Sequence, residues 1–119
     1  MEPHSSAYFR LIRKLTKENL WLYILKLLQN RPMYAYEIYK TIHGQFGFTT
    51  ATITVYVVLY KMQREGLIQI AEEKTVLGKP ERKYYQITEK GHHEYVNGVM
   101  FLEETLGKLT HTIQDVKHV

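Results

Sequence analysis

Apolar and polar positions alternate along this chain with a period that changes several times, and each change marks an element. From about Lys17 to Gln29, Leu20, Ile24, Leu27 and Leu28 recur at 3.6-residue spacing with Trp21 and Tyr23 around them, which predicts a helix. Asn30, Arg31 and Pro32 end it, because proline restricts the residue before it and cannot donate an interior helix bond. A shorter helix is expected from about Ala35 to Ile42, where Ile38 and Ile42 share a face near Tyr34 and Tyr39, and Gly44 and Gly47 break it. The stretch FTTATITVYVVLYKMQREG favours a strand by propensity and a helix by length. Val55, Val58, Leu59 and Met62 fall at helical spacing, Gly66 is placed as a stop, and Thr50 or Thr52 can cap the start, so a third helix is expected.

Two short extended segments follow, Leu67 to Glu72 and Lys83 to Thr88, joined by EKTVLGKPER with Gly78 and Pro80 at the turn. Tyr84 and Tyr85 then lie on opposite faces of the return strand, one inward and one exposed or facing a partner subunit. A last helix, capped by Thr88, is expected to continue beyond Leu109. Its Tyr95, Val99, Leu102, Leu106, Leu109 and Ile113 are spaced 4, 3, 4, 3 and 4, the pattern of a seam buried against another helix. These positions are expected to make a homodimer, the other reading being that the helix folds back over its own domain. Ahead of everything, Tyr8, Phe9, Leu11, Ile12 and Leu15 form one face of a short helix whose other face carries Arg10, Arg13, Lys14 and Lys17.

The expected fold class is therefore α+β, mostly helical: a winged helix-turn-helix with a C-terminal dimerisation helix. Residues 1–18 read as a basic amphipathic helix or extension, 19–88 as the winged helix-turn-helix, and 89–119 as the dimerisation helix. A chain of 119 residues has room for one real core. Its 45% hydrophobic and 24% charged residues exclude wholesale disorder.

Composition then narrows the chemistry. There is no cysteine, so disulfide scaffolds, thiolate zinc sites and thiol nucleophiles are excluded. The only aspartate is Asp115, and the six histidines show no ligand spacing, so neither an enzyme nor a metal or cofactor site is expected. Gly44 and Gly47 lack the lysine and hydroxyl pair of a phosphate loop. No apolar run approaches the ~20 residues of a membrane helix, and the start lacks a signal peptide's apolar core, so the chain reads as cytoplasmic, soluble and without a membrane partner. The formal net charge is +4, and residues 1–60 hold seven basic and three acidic side chains against nine of each in 61–119. That excess favours an anionic partner.

In a winged helix-turn-helix the third helix enters the major groove of double-stranded DNA. Thr49, Thr50, Thr52, Thr54 and Tyr56 offer hydroxyls to phosphates or base edges, and Lys61 and Arg64 add charge at the far end. Lys79, Arg82 and Lys83 on the hairpin, with Lys74, can neutralise phosphates beside the groove, as can Arg10 and Arg13 in the N-terminal cluster. Threonines at a helix start also serve as caps, and a mixed-sign hairpin tip is also what any exposed hairpin looks like.

Three segments carry a resemblance: MYAYEIYK at Met33 to Lys40, TITVYVVLYKMQREGLI from Thr52 to Ile68, and KPERKYYQITEKG from Lys79 to Gly91. In order and spacing they resemble the three signatures of PadR-like transcriptional regulators, over roughly residues 20 to 95. The first usually reads leucine, histidine, glycine, tyrosine, glutamate, isoleucine, where this chain has Met33, Tyr34, Ala35, Tyr36, Glu37 and Ile38. In the second, Ile53 stands where the family has glycine and Val57 where it has proline. The third is kept best, through Arg82, Lys83, Tyr84, Tyr85, Ile87, Thr88 and Gly91. The resemblance implies a repressor or activator that binds pseudo-palindromic promoter DNA as a homodimer, in a short form with one C-terminal helix. Some relatives bind small aromatic effectors at the dimer interface, and the resemblance points to Trp21, Tyr23 and Tyr95 for such a pocket, although aromatic side chains at helical interfaces are also simply buried area. Two other readings use the same residues: a winged helix that contacts another protein, and a non-specific architectural DNA-binding protein.

Overall fold

The computed structural model describes residues 3–74 and 82–110. In chain order they form α1 (Ser6–Leu15), a single 3-10 turn (Lys17–Asn19), α2 (Leu20–Leu28), β1 (Met33–Tyr34), α3 (Ala35–Phe46), α4 (Thr52–Arg64), β2 (Ile68–Lys74), β3 (Arg82–Ile87) and α5 (Glu89–Leu109). The strands make one antiparallel sheet in the order β1-β3-β2, with Met33 opposite Tyr85, Ile68 opposite Ile87, and a register shift between Ile70 and Glu72. This is a winged helix-turn-helix followed by a C-terminal helix, as the periodicity predicts.

The core follows from the helical spacing. Leu20, Ile24, Leu25, Leu27 and Leu28 of α2 pack with Ala35, Ile38 and Ile42 of α3, with Val55, Leu59 and Met62 of α4, and with Met33 of β1, Ile68 of β2 and the preceding Leu67. Val55, Leu59 and Met62 recur at i, i+4 and i+7, which puts them on one stripe and turns Ile53, Tyr56, Val57 and Tyr60 outward. The helical reading of the threonine- and valine-rich segment is thus decided by burial: as a strand, its apolar residues would be divided between two faces.

Several boundaries differ from the sequence reading. Helix α3 does not stop at Ile42 but runs through Gly44 to Phe46. It ends at Gly47, whose φ of 75° is left-handed and whose N–H reaches the His43 carbonyl at 3.1 Å. Neither Thr50 nor Thr52 caps α4; the N-cap is Ala51, with no side-chain bond. Gly66 is the expected stop, at φ 80°. Strand β1 is absent from the sequence reading, because two residues are too short to show alternation. Helix α5 does not continue beyond Leu109: Thr110 is extended.

The start of α5 is fixed by contacts that only the folded chain brings together. The Thr88 hydroxyl accepts from the Gly91 N–H at 3.0 Å and donates to the Gly66 carbonyl at 2.6 Å, while Lys90 Nζ donates to the Glu65 carbonyl at 2.7 Å. Gly91 lies so close to the β2 entry that a Cβ there would stand 2.1 Å from the Leu67 carbonyl oxygen. The first half of α5 packs on α2, with Tyr95 against the core and Gly98 beside Trp21 and Leu22. The second half leaves the body: Met100, Phe101, Leu102, Leu106 and Leu109 are exposed, Leu106 by 62%. The first half of this helix therefore folds back over its own domain, while the apolar positions of the second half are open to solvent.

Helix α1 is amphipathic, as expected, and capped by Ser5, whose hydroxyl accepts from the Tyr8 N–H at 3.1 Å. None of its residues is buried, so its apolar face is as open as its basic one. Polar contacts tie its end to the 3-10 turn and α2: Asn19 Nδ2 donates to the Lys14 carbonyl at 2.6 Å, and the Tyr23 hydroxyl of α2 donates to the Leu15 carbonyl.

Candidate nucleic-acid interface

Three elements converge on one surface. The β1–β3 pairing sets Tyr34 opposite Tyr84 and carries the N-terminus of α3 to the base of the wing, while α4 crosses in front with Tyr56 outward. Tyr34, Ala35, Tyr56, Arg82, Lys83 and Tyr85 line a notch of 310 Å³ between them. The Arg82 guanidinium lies 4.5 Å from the centre of the Tyr34 ring, a cation–π contact that holds the cation at the rim. The notch is open and edged by two cations and a tyrosine hydroxyl, which suits an anionic oxygen.

Beside the notch, Arg31 Nη2 donates to Glu37 Oε2 at 2.6 Å. This bond is the main reason the Glu37 carboxyl titrates below its ordinary value; burial opposes it, and Arg82 adds to it through charge alone. Glu37 thus stays ionised, in the first turn of α3, where a negative charge is favoured by the helix dipole. Burial raises the Tyr85 phenol above its ordinary value, so at neutral pH it remains a neutral hydrogen-bonding group.

On α4 and in the two residues before its N-cap, Thr49, Thr52, Tyr56, Lys61 and Arg64 are exposed, whereas Thr50 and Thr54 are half-buried. Arg64 lies over the Tyr60 ring at 5.8 Å. In the N-terminal cluster Arg10 is exposed, but Arg13 and Lys14 both pair with Glu18, at 3.0 and 2.7 Å. Arg13 borders a groove of 540 Å³ with Phe9, Lys17, Phe48 and Thr49, which places α1 next to the turn that leads into α4. Lys79 and Ile113 lie outside the described residues, and Lys74 is known only by its backbone pairing with Arg82.

The structure does not bring Trp21, Tyr23 and Tyr95 to one cavity in the single chain. Tyr23 meets Phe46 and Phe48 edge-on at 5.0 Å each, and Tyr95 packs on the core. Trp21 borders an apolar cleft of 170 Å³ with Leu15, Leu22, Gly98, Phe101 and Leu102. The sequence reading also missed Tyr34, which the two-residue strand carries to Arg82, and the outward pair Tyr36 and Lys40, with Nζ 5.6 Å from the ring. For that pair a signal existed, the i, i+4 spacing of an aromatic and a lysine. Among the described residues there is no cluster of metal-ligating side chains and no helix long and apolar enough to cross a membrane.

Comparison with known proteins agrees with this geometry. Residues 24–97 match the model of the transcriptional regulator PadR-like family. A transcriptional regulator from Clostridium thermocellum is similar in fold, with a TM-score of 0.71 at 23% identity over 81% of this chain and 94% of that one. A PadR-like transcriptional regulator from Bacillus cereus is 30% identical over 82% of this chain and 95% of its own, with a TM-score of 0.61. PadR of Bacillus subtilis, solved in complex with operator DNA, is 26% identical with a TM-score of 0.62 over 67% of this chain; the match spans only 47% of that longer protein. Comparison with curated proteins gives no match.

Proposed function

The chain belongs to the transcriptional regulator PadR-like family, a family of regulators rather than enzymes, and from that premise we propose that it binds double-stranded DNA sequence-specifically as a homodimer. In this reading α4 lies in the major groove and the β2–β3 wing runs along the phosphate backbone. The protein then works where the chromosome is, in the cytoplasm. The observation that carries the reading is the single surface on which the outward face of α4 meets Arg82 and Lys83 across the notch. A helix of 13 residues spans roughly 20 Å at about 1.5 Å per residue, and the groove, about 12 Å wide, admits it. No side chain caps the N-terminus of α4, and such an end favours a phosphate. That Bacillus subtilis PadR was solved in complex with operator DNA supports DNA as the partner.

In this proposal residues 19–88 form the DNA-binding unit, residues 89–119 the dimer arm, and residues 1–18 a basic extension whose Arg10 reaches flanking phosphates. Arg13, occupied by Glu18, is the weaker contributor. The exposed apolar half of α5, Leu102, Leu106 and Leu109, supports the dimer; Tyr95 packs on its own domain, and Val99 between them is half-buried. A small aromatic effector would then enter beside Trp21, where the apolar cleft meets α5. The apolar character of the α4 face also favours a second reading, a protein partner in place of DNA. Selection of bound fragments from a random duplex pool, at low salt and near 0.15 M salt, separates the two. An enriched palindrome retained at the higher salt is expected; no enrichment, or binding that salt abolishes without a motif, overturns the proposal.

A further inference from the structure

We infer that base selection by α4 rests on the C5-methyl groups of thymine, taken by Ile53 and Val57. This inference builds on the DNA-binding reading above and specifies its chemistry. From Thr49 to Tyr60 the chain reads TTATITVYVVLY, with no carboxamide, carboxylate, guanidinium or ammonium side chain in twelve residues. The side chains that distinguish bases by paired hydrogen bonds, arginine or lysine for guanine and asparagine or glutamine for adenine, are therefore missing from the first two turns and more of the helix. What the helix presents outward instead is Ile53, 69% exposed, then Tyr56, Val57 and Tyr60, one face at i, i+3, i+4 and i+7.

The hydroxyls of Thr49, Thr52 and Tyr56 can donate or accept and so bond to any base edge or phosphate without choosing among them. The thymine methyl is the one apolar feature of the unmodified major groove, and it distinguishes A·T from T·A by its side. The charges around the face fit the same partner: Arg82 and Lys83 at the wing and Lys61 and Arg64 farther along α4 are all exposed. An apolar stripe flanked by cations suits an anionic surface that carries apolar knobs, which a thymine-bearing duplex is. A protein partner would need acidic side chains around an apolar ridge, and would leave no DNA sequence selected.

The experiment uses the palindrome recovered from the random pool and the full-length chain. Each symmetry-related pair of thymines is replaced in turn by deoxyuridine, which removes the methyl and nothing else. One buried methyl-sized group corresponds to about fourfold in affinity, so a symmetric pair corresponds to about fifteenfold. At one or two positions per half-site the parent protein is expected to bind the uracil duplex about fifteenfold more weakly. Ile53→Ala or Val57→Ala should bind thymine and uracil duplexes equally at its position; both side chains are exposed, so neither change removes a core contact. Uracil duplexes bound as tightly as the parent site at every position, with the palindrome still selected, would overturn this inference and leave the DNA-binding reading intact. Discrimination that persists unchanged in both variants would also overturn it, since the methyl would then be read elsewhere. Failure to select any sequence overturns both.

Discussion

Replacing Leu106 with alanine tests whether the free half of α5 is where two copies meet. The side chain is 62% exposed in the single chain, so truncation removes little that holds the monomer together. Full burial of a leucine contributes about 1.5–3 kcal/mol, so covering the open part of this one contributes about 1–2 kcal/mol per copy. A two-fold symmetric interface uses the residue twice, which brings the loss to about 2–4 kcal/mol. At about 1.4 kcal/mol per tenfold, the dimer dissociation constant should rise roughly 30-fold to several hundred-fold. Sedimentation equilibrium of parent and variant over a wide concentration range reads that shift directly. Ile53→Ala, equally open but on α4, is the control and should leave the constant unchanged. An unchanged constant in Leu106→Ala, or an equal shift in the control, would refute the assignment of the seam.

Three further changes probe other links. Gly91→Ala forces a Cβ to within 2.1 Å of a backbone oxygen, so the α5 base must shift; unfolding in urea should show a loss of about 3 kcal/mol, at the upper end of overpacking costs, and a loss below about 0.5 kcal/mol would contradict the packing. Arg82→Ala should weaken binding to every duplex and lower the salt slope by about 0.9 per chain, as removal of one phosphate contact does; an unchanged slope would remove that role. The lowered Glu37 titration contributes stability above the ordinary carboxyl value, and that contribution is lost as pH falls through the depressed folded value. Glu37→Gln should therefore cost about 1 kcal/mol at pH 7, and the gap to the parent should close in acid; a gap of the same size at pH 2 would show that the ion pair is not its source.

Helical periodicity carried most of the fold into view, because α2, α3 and α4 bury one stripe each and the sequence writes that stripe at 3.6-residue spacing. What it could not show are features made by pairs of distant segments. The two residues of β1 acquire meaning only beside β3, and with them go Tyr34 and its contact to Arg82. Gly91 reads as an ordinary helix-interior glycine until the Leu67 carbonyl is seen against it. The seam pattern of α5 is continuous in sequence, yet its first half packs on α2 and the apolar positions of the second half are exposed, a division invisible to periodicity. On α4 the candidate hydroxyls were legible as residues. The threonines expected as caps do not cap, since Ala51 occupies that position, and the outward stripe is apolar because Val55, Leu59 and Met62 take the inner face. Arg13 was legible as a cation but not as one already held by Glu18, five residues on.

In the proposed complex two copies engage two half-sites together through α4. The decisive comparison is affinity for the selected palindrome against affinity for the same duplex carrying five extra base pairs at its centre. Half a helical turn rotates one half-site to the opposite side of the duplex, since a turn is about 10–10.5 base pairs. The insertion is expected to reduce affinity to nearly that of a single half-site. Equal affinity for the two duplexes would contradict it, since the half-sites would then be bound independently or not read at all.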